Sequence, residues 1–336
     1  MTTTAVVILN YNGASFLQQF LPTVLKYSPE AAVIVADNCS TDGSLAYMQA
    51  AHPEVRVIAL DRNYGFCGGY NRALAQVEAD YYVLLNSDIE VTAGWLLPMI
   101  SLLDGDIQVQ ALQPKILAYT DRGRFEYAGA AGGFIDRLGY PFCRGRLFTY
   151  AEEDRGQYND VREVFWATGA CLMIRADVYR QHGGLDEDFF AHMEEIDLCW
   201  KINRAGGKVY YCGRSTVYHV GAGTLSYGSP RKTYLNFRNG LMLLLKHYDG
   251  LELVVKLPFR LFLDWVAANM YILQGQFRQA LAIWRAHLHF VGTLGSTWRK
   301  RQEIVSKYPN YPKSNVYRRL IIADYYLRRK RTITGI

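Results

Sequence analysis

A short polar segment, Asn86-Ser87-Asp88, follows an apolar run at residues 81–85 and has the composition of a cation site. The apolar run has the length and residue types of a buried β-strand, so the segment would lie at a strand end. A carboxylate in that position can hold Mg²⁺ or Mn²⁺ against a diphosphate, because these hard cations prefer oxygen ligands. Asp and Asn also end strands for purely structural reasons, and the segment by itself is compatible with both explanations.

An acid-rich segment at residues 186–197 contains six carboxylates among phenylalanine and methionine residues. Its last three acids, Glu194, Glu195 and Asp197, fall at the start of a helix predicted over residues 192–204. Acids at a helix N-terminus are stabilised by the helix dipole, which would be a structural role. Carboxylates beside apolar residues instead have raised pKa values and can act as general bases. We predict that role for Glu195, whereas capping and catalysis explain Asp197 equally.

Two further signals are less specific. His219 follows a short predicted strand at residues 216–218, and with Asp88 it could complete a cation site, although a lone histidine is more often structural. Residues 63–72 contain three glycines ahead of a helix predicted over residues 68–76, and a helix N-terminus attracts phosphate. Because the spacing is neither GxGxxG nor a Walker A loop, this cluster identifies no family by itself.

The elements that must position these residues alternate between short apolar runs and helical patterns. Such β-α-β-α alternation predicts a parallel, doubly wound sheet, in which ligands bind at the carboxyl ends of the strands. The strands are predicted at residues 5–9, 33–36, 55–60 and 81–85. All four are followed by polar residues: 10–12, 37–38, 62–63 and 86–88. We therefore expect a binding site along this edge of the sheet.

The pattern changes between residues 108 and 171. A glycine-rich and aromatic stretch at residues 129–145 predicts strands and loops on the edge of the sheet. Helical spacing returns at residues 176–181, and short strands are predicted at residues 208–211 and 216–218. Beyond Arg231 the chain is predicted to be almost wholly helical.

Composition excludes several protein classes. The chain has 336 residues, of which 50% are hydrophobic and 20% charged, which excludes a disordered or fibrous protein. Its six cysteines include no CxxC pair, which argues against a zinc ribbon or disulfide scaffold and fits a reducing cytoplasm. The first residues lack a basic region and are expected to form a buried strand, not a signal peptide.

Charge is distributed unevenly along the chain. Residues 1–220 carry 18 basic and 26 acidic residues, a net charge of −8, whereas residues 221–336 carry 19 and 5, a net charge of +14. A basic region of this kind can meet an anionic membrane, a phosphorylated substrate or nucleic acid. No nucleic-acid-binding module is recognisable, so we expect no nucleic-acid partner.

One segment of the basic region has an unusual pattern. Residues 251–266 place their charges at positions 252, 256, 260 and 264, which forms one narrow polar stripe on a helix. The uncharged run at residues 265–277 is shorter than the roughly 20 residues that span a bilayer. The pattern therefore predicts a core helix or a helix at a membrane interface. Basic clusters at residues 299–301, 318–319 and 328–331 are compatible with membrane attachment and with a solvated surface.

Taken in order, these segments resemble the family 2 glycosyltransferases of GT-A fold, and among them the bacterial rhamnosyltransferase-like branch. The resemblance covers roughly residues 5–225 and is carried by residues 7–12, 35–44, 63–71, 85–88, 169–170, 183–200 and 219. It implies an α/β GT-A fold with a mostly parallel central sheet, followed by a helical C-terminal extension. The implied catalytic domain is 1–225, with a nucleotide-sugar half (1–105) and an acceptor half (106–225); residues 226–336 form the basic helical region.

The resemblance also implies roles for single residues. The residues implied to bind the nucleotide-sugar donor are Asn10, Asn12, Asp37, Asn38, Asn63, Gly68, Asn71, Arg72 and Asn86. Those implied on the acceptor side are Trp166 and Gly169. Asp88 and His219 would hold Mg²⁺ or Mn²⁺, and Glu195 would be the base, with Glu194 and Asp197 as its catalytic neighbours. Two positions depart from the family pattern: Asn86 replaces the first acid of the DxD motif, and Glu195 stands where the family usually has Asp.

The implied reaction is an inverting sugar transfer from a UDP-, dTDP- or GDP-linked donor to a glycan or polyprenyl-linked acceptor, in cell-surface polysaccharide synthesis. We expect a cytoplasmic enzyme. A peripheral position on the inner face of the plasma membrane and a homodimer are both compatible with the sequence. Two alternatives remain at this point. A sugar-nucleotide pyrophosphorylase would need a basic glycine-rich loop after the first strand, which residues 10–13 lack. A sugar-nucleotide-binding protein without transferase activity would be distinguished by its failure to hydrolyse donor.

Overall fold

The computed structural model describes residues 2–127, 129–221, 228–309 and 315–333. In chain order its strands and helices are β1 (Thr4–Asn10), α1 (Ala14–Tyr27), β2 (Ala32–Asp37), α2 (Ser44–Ala51), β3 (Arg56–Ala59), α3 (Gly65–Leu74), β4 (Tyr81–Asn86), β5 (Ile89–Val91), α4 (Leu97–Gly105), β6 (Val109–Ala118), β7 (Gly133–Asp136), β8 (Pro141–Cys143), β9 (Arg146–Leu147), β10 (Tyr150–Ala151), β11 (Val161–Val164), β12 (Cys171–Arg175), α5 (Ala176–Gln181), α6 (Glu194–Arg204), β13 (Lys208–His219), α7 (Pro230–His247), α8 (Gly250–Leu273), α9 (Phe277–Gly292), α10 (Leu294–Lys307) and β14 (Val316–Tyr317). A 3₁₀ turn at Glu187–Phe189 precedes α6, and a π-helical segment occupies Ala323–Leu327.

The main sheet has the strand order β11-β13-β6-β12-β4-β1-β2-β3, with β5 paired to β13. The four strands predicted from the N-terminal pattern are confirmed, and β4, β1, β2 and β3 lie parallel to one another. Strand β12 runs antiparallel to both β4 and β6, so the sheet as a whole is mixed. In register, Asn10 is paired with Asp37, and Leu9 is paired with Asn86. The polar strand ends therefore meet at one edge, as expected.

The apolar runs form strands because both faces of the sheet are covered. Along β1, Val6 and Ile8 pack into a core shared with α1 and α4, while Ala5 and Val7 pack into a core shared with α3, α5 and α6. A strand buried on both faces has continuous hydrophobicity in place of alternation. This burial holds the end of β1, at Asn10, in a rigid position.

Three element predictions are wrong in detail. The glycine-rich region around residues 129–145 forms a separate five-stranded sheet, β10-β9-β8-β7-β14, instead of the edge of the main one. The two short strands at residues 208–211 and 216–218 are one strand, β13, interrupted by a register shift between Cys212 and Thr216. Helix α3 begins at Gly65, three residues earlier than predicted, so it contains all three glycines.

Helices α7–α10 follow the sheet, but the C-terminal region is not wholly helical because β14 pairs with β7. Residues 241–245 of α7 are buried in the same core as α6 and the main sheet, so packing is continuous across the predicted boundary at residue 225. Within the described ranges, no helix combines the length and apolar character needed to cross a bilayer.

Candidate active site

The ends of β1 and β2 form the floor of a polar pocket. The Asn10 amide donates to Asp37 Oδ1 at 3.0 Å and to Ser40 Oγ at 3.1 Å, and the Ser40 backbone N–H donates to Asp37 Oδ2 at 2.9 Å. The Asn10 and Asp37 side chains are almost fully buried, yet Asn10 Oδ1 has no partner among the described residues. Gly13 keeps the space beside it open, because a Cβ there would lie 2.6 Å from that oxygen.

Three other predicted donor contacts shape the loops of this pocket. The Asn38 amide donates to Asn63 Oδ1 at 3.0 Å and to the Gly65 carbonyl at 2.9 Å, and its oxygen accepts from the Tyr64 N–H. Asn12 has a φ of 52°, and its side-chain oxygen accepts from the Thr41 N–H at 2.7 Å. The structure brings these residues together, and their amides hold the loops in place.

Asn71, Arg72 and Gly68 on α3 face the acid-rich segment. The Asn71 side-chain nitrogen donates to the Leu185 carbonyl and the Glu187 carboxylate, and its oxygen accepts from the Leu185 N–H and the Tyr179 hydroxyl. These four bonds leave the amide no free position with which to bind a nucleotide sugar. Arg72 pairs with Glu187 at 2.8 Å. Gly68 lies inside α3, where a Cβ would be 2.9 Å from Arg72, so its absent side chain permits this packing. The expected phosphate contact at a helix N-terminus is therefore not available to Gly68.

The candidate cation site joins the ends of β4 and β13. His219 Nε2 lies 3.2 Å from Asp88 Oδ1, and His219 Nδ1 lies 3.1 Å from Glu126 Oε2, with all three side chains buried. A metal-ligating histidine commonly has its second ring nitrogen oriented by a carboxylate, which is the position of Glu126. The donor set of one carboxylate and one imidazole thus fits a divalent cation that takes its other ligands from a diphosphate. No cluster of three or more potential metal ligands occurs in the described part of the chain.

Glu126 was not foreseen from the sequence. It follows the isolated bridge between Phe125 and Leu117, far along the chain from both Asp88 and His219. Burial by itself lowers the pKa of His219, but its hydrogen bonds and charge interactions with Asp88 and Glu126 outweigh burial and raise that pKa to about 10.

Asn86 ends β4, and its backbone N–H donates to the Ala170 carbonyl at 2.9 Å.

Four of the six carboxylates in the acid-rich segment are neutralised by cations. Glu187 pairs with Arg72; Asp186 pairs with Lys246 and Lys300; Asp188 pairs with Lys300; and Asp197 pairs with Lys201 and Lys246. Within the described residues, only Glu194 and Glu195 of this segment have no ion pair. These two carboxylates are therefore the ones left for chemistry.

Glu194 and Glu195 differ in their accessibility. Burial and the neighbouring charge of Glu195 raise the pKa of Glu194 well above its ordinary value, and its side chain is nearly inaccessible. Burial raises the pKa of Glu195 to about 7, and backbone amides, among them that of Gly169, offset part of the rise. Glu195 is only partly buried, and a Cβ at Gly169 would lie 3.8 Å from its Cβ. A base with a pKa near neutrality on a partly exposed residue suits proton abstraction.

Asp197 does not belong to this site, which corrects the catalytic assignment. Its carboxylate is completely buried and contacts Lys201 at 2.8 Å, Lys246 at 2.5 Å and His247 Nε2 at 2.8 Å. Burial would raise its pKa, but the lysine charges and the histidine hydrogen bond hold it well below its usual range. Asp197 therefore ties α6 to α7.

The two residues predicted on the acceptor side, Gly169 and Trp166, have different surroundings. Gly169 adjoins Glu195, and its place on the acceptor side stays a prediction. Trp166 is buried in the core, where its indole N–H donates to the Phe134 carbonyl at 2.9 Å and its ring leaves no space for a side chain at Gly133. With its polar group satisfied and its ring enclosed, Trp166 supports the wall of the site and does not contact an acceptor.

The chain before α6 is held in an unusual conformation. Phe190, His192 and Met193 have φ angles of 64°, 69° and 74°, which non-glycine residues rarely adopt. Asn239, buried on α7, donates to the carbonyls of Phe189, Ala191 and His192 at 3.2, 3.0 and 2.7 Å. Arg238 adds bonds to the carbonyls of residues 188 and 189. We call Arg238 and Asn239 the clamp of this segment. In the sequence these two polar residues stand just before the apolar stretch 241–245, and that pattern was the signal that could have identified them.

We expect Asn239→Leu to lower the free energy of unfolding by about 2–4 kcal/mol, because it leaves buried carbonyls without donors. It should also reduce kcat more than it raises the donor KM, since the clamp positions the segment that carries Glu195. Chemical denaturation and steady-state kinetics measure both effects. Asn269→Leu is the control, because Asn269 donates to one carbonyl on a more accessible part of α8. A loss below about 1 kcal/mol in Asn239→Leu would contradict the clamp.

Comparison with known proteins finds both sequence relatives and structural neighbours. The chain is 28% identical over 243 residues to the N-acetylglucosaminyl-diphospho-decaprenol L-rhamnosyltransferase of Mycobacterium tuberculosis, covering 64% of this chain and 75% of that protein. A structure of GalNAc-T7 with UDP, GalNAc and Mn²⁺ superimposes with a TM-score of 0.58 at 16% identity, covering 92% of this chain and 58% of that one. S. aureus TarS 1-349 in complex with UDP gives 0.53 at 17% identity, covering 93% of both chains.

The structural likenesses establish the GT-A fold. Residues 5–183, more than half of the chain, match Glycosyl transferase family 2. The matched region contains both polar strand ends of the pocket, the Asn86-Ser87-Asp88 segment and Gly169. The chain therefore belongs to glycosyl transferase family 2.

Proposed function

We propose that the protein is an inverting glycosyltransferase that moves a sugar from a nucleoside diphosphate donor to a hydroxyl group of a glycan or polyprenyl-linked acceptor. One observation carries this proposal. Residues 169–170 connect the two halves of the site, because Ala170 accepts a hydrogen bond from Asn86 at the end of β4 while Gly169 adjoins Glu195. A carboxylate base is thereby held beside the strand end that bears the candidate cation ligand.

In this mechanism Glu195 accepts the proton of the acceptor hydroxyl through its carboxylate. The hydroxyl oxygen forms a bond to the anomeric carbon as the bond from that carbon to the diphosphate oxygen breaks. The electron pair of the broken bond leaves with the nucleoside diphosphate. Asp88 and His219 are the residues that would hold Mg²⁺ or Mn²⁺, and such a cation offsets the negative charge on the leaving diphosphate.

The nucleotide portion of the donor is assigned to the pocket at the ends of β1 and β2. Asp37 is held rigidly by Asn10 and Ser40, and Asn10 Oδ1 offers a buried acceptor without a partner among the described residues. The rhamnosyltransferase relative is named for an acceptor on a decaprenol diphosphate. That name supports a lipid-linked acceptor for this chain as well, with the sugar drawn from a UDP-, dTDP- or GDP-linked donor.

A donor panel tests the proposal. The purified chain is incubated with UDP-, dTDP- and GDP-sugars, with Mn²⁺ or Mg²⁺, and release of nucleoside diphosphate is measured. We expect release with one donor class, faster when a polyprenyl diphosphate sugar is added, and its abolition by chelation. Absence of release from every donor, with and without acceptor, would contradict transferase activity and favour a binding protein.

A further inference from the structure

Helix α8 has its polar side turned inward. The stripe predicted from residues 252, 256, 260 and 264 faces the protein, where Arg260 and Asp264 form a buried ion pair at 2.9 Å and Arg260 stacks on Tyr140 at 3.7 Å. The opposite side is apolar and exposed along the helix. Its exposed members include Leu251, Val255, Phe259, Phe262, Trp265 and Leu273.

Helix α9 repeats this arrangement. Its inner side packs on α7 and α8 through Ala280, Ile283 and Ala286. Its outer side carries large apolar residues at spacings of four and three, the period of one helix face. These are Phe277, Leu281, Trp284, Leu288 and Val291, which are 47–73% exposed. We call the exposed apolar sides of α8 and α9 the outer apolar face.

Along the last part of α8 and the whole of α9, the charges beside the outer apolar face have one sign. No Asp or Glu occurs between Asp264 and Glu303, whereas Arg278, Arg285 and Arg299 are exposed in that interval. All exposed tryptophans of the chain also lie here: Trp265, Trp284 and Trp298 are 47–50% exposed, while the other three are buried. Exposed apolar residues flanked by cations and tryptophan are typical of helices that lie in a membrane interface.

A basic cavity adjoins the start of α8. Its volume is about 640 Å³, and it is lined by the apolar Leu251 and Val255 together with Arg137, Arg318 and Arg319. Arg328 also lines it, and its guanidinium is paired with Asp324 at 2.6 Å. The one carboxylate in its wall, Glu252, is paired with Lys256. Guanidinium groups beside exposed leucine and valine present a site for a phosphate headgroup next to acyl chains.

We propose that the outer apolar face docks on the surface of a bilayer containing anionic phospholipids. The apolar residues enter the headgroup region, the three exposed arginines meet the surface charge, and the basic cavity receives a phosphate headgroup. Each arginine brought to an anionic surface strengthens binding about fivefold. A polyprenyl-linked acceptor of the kind proposed above would lie in the same bilayer.

The test uses the full chain and vesicles of phosphatidylcholine with or without phosphatidylglycerol, in the absence of donor and acceptor. A failure here is therefore separate from a failure of transferase activity. We expect sedimentation with anionic vesicles, weakened but not abolished by high salt, because screening removes only the charge contribution. Tryptophan emission should shift to the blue and be quenched by brominated lipid, since two of the three exposed tryptophans, Trp265 and Trp284, lie on this face.

Matched variants locate the contact. Trp284→Glu combined with Leu288→Glu should lower the partition coefficient at least about tenfold, because two large side chains no longer leave water. Ile107→Glu changes an equally exposed apolar residue outside the face and should bind as the unmodified chain does. Absence of binding to anionic vesicles at low salt, or unchanged binding by the double variant, would overturn the proposal. A dimer in solution that the double variant dissociates, without vesicle binding, would identify a subunit interface instead and would also overturn it.

Discussion

Replacing Glu195 by glutamine is expected to lower the transfer rate about 10²–10⁴-fold while leaving donor binding unchanged. The amide keeps the size of the side chain but cannot accept the acceptor's proton. Steady-state kinetics give the rate, and calorimetric titration with the nucleoside diphosphate gives the binding. Glu194→Gln is the matched control, because Glu194 is the neighbouring carboxylate and its side chain is nearly inaccessible to an acceptor. If Glu194→Gln loses the activity and Glu195→Gln retains it, the base is one residue earlier.

The pH profile provides a second measurement on the same residue. Burial raises the pKa of Glu195 to about 7, so the folded enzyme holds more of the protonated, inactive form below that pH. We therefore expect kcat to fall about tenfold per pH unit below about pH 7 and to level off above it. Glu195→Gln should show no such acid limb. A rate that stays constant down to pH 5 in the unmodified enzyme would exclude a base with this pKa.

Asp88→Asn is expected to reduce transfer about 10²-fold or more and to weaken Mn²⁺ binding in the presence of nucleoside diphosphate. The substitution removes the one carboxylate of the candidate cation pair and leaves His219 paired only with Glu126. Loss of the cation would leave the charge of the departing diphosphate without compensation, an effect of several kcal/mol. Electron paramagnetic resonance of Mn²⁺ measures binding independently of turnover.

Glu90→Gln is the control for Asp88→Asn. Glu90 lies two residues further along the chain and pairs with Arg122 at 2.8 Å, outside the Asp88–His219 pair. Removing its charge should leave activity and Mn²⁺ binding nearly unchanged. Normal turnover by Asp88→Asn, or full activity of the unmodified enzyme in excess chelator, would contradict the cation assignment.

The position of most residues of the proposed nucleotide pocket could be predicted from the sequence. A buried parallel strand has an uninterrupted apolar sequence. The polar residue that follows its carboxyl end therefore lies at the ligand-binding edge of the sheet. Asn10, Asp37, Asn38 and Asp88 were located in this way. Their detailed roles were less accessible, since hydrogen bonds to Ser40 or Tyr64 depend on how two loops meet.

The acid-rich segment marks the limit of such prediction. Glu194, Glu195 and Asp197 have the same local context, and each could cap a helix or act as a base. Their roles diverge because Lys246 and His247, about fifty residues later, neutralise Asp197 and leave Glu194 and Glu195 without cations. Glu126 also reaches the site through a contact between residues far apart in the chain, its contact with His219. Such a contact leaves no pattern in the local sequence.

The spacing of charges along residues 251–266 was enough to predict one narrow polar stripe on α8, and composition was enough to place the basic residues after residue 220 and polar residues at the strand ends. The direction of the stripe depended on packing: the Arg260–Asp264 pair and Tyr140 turn it inward, and the apolar side of α8 then faces outward. Periodicity records which residues share a helix face, but the direction of that face depends on the partner against which the helix packs. That partner is distant in the chain, so the direction is set by packing.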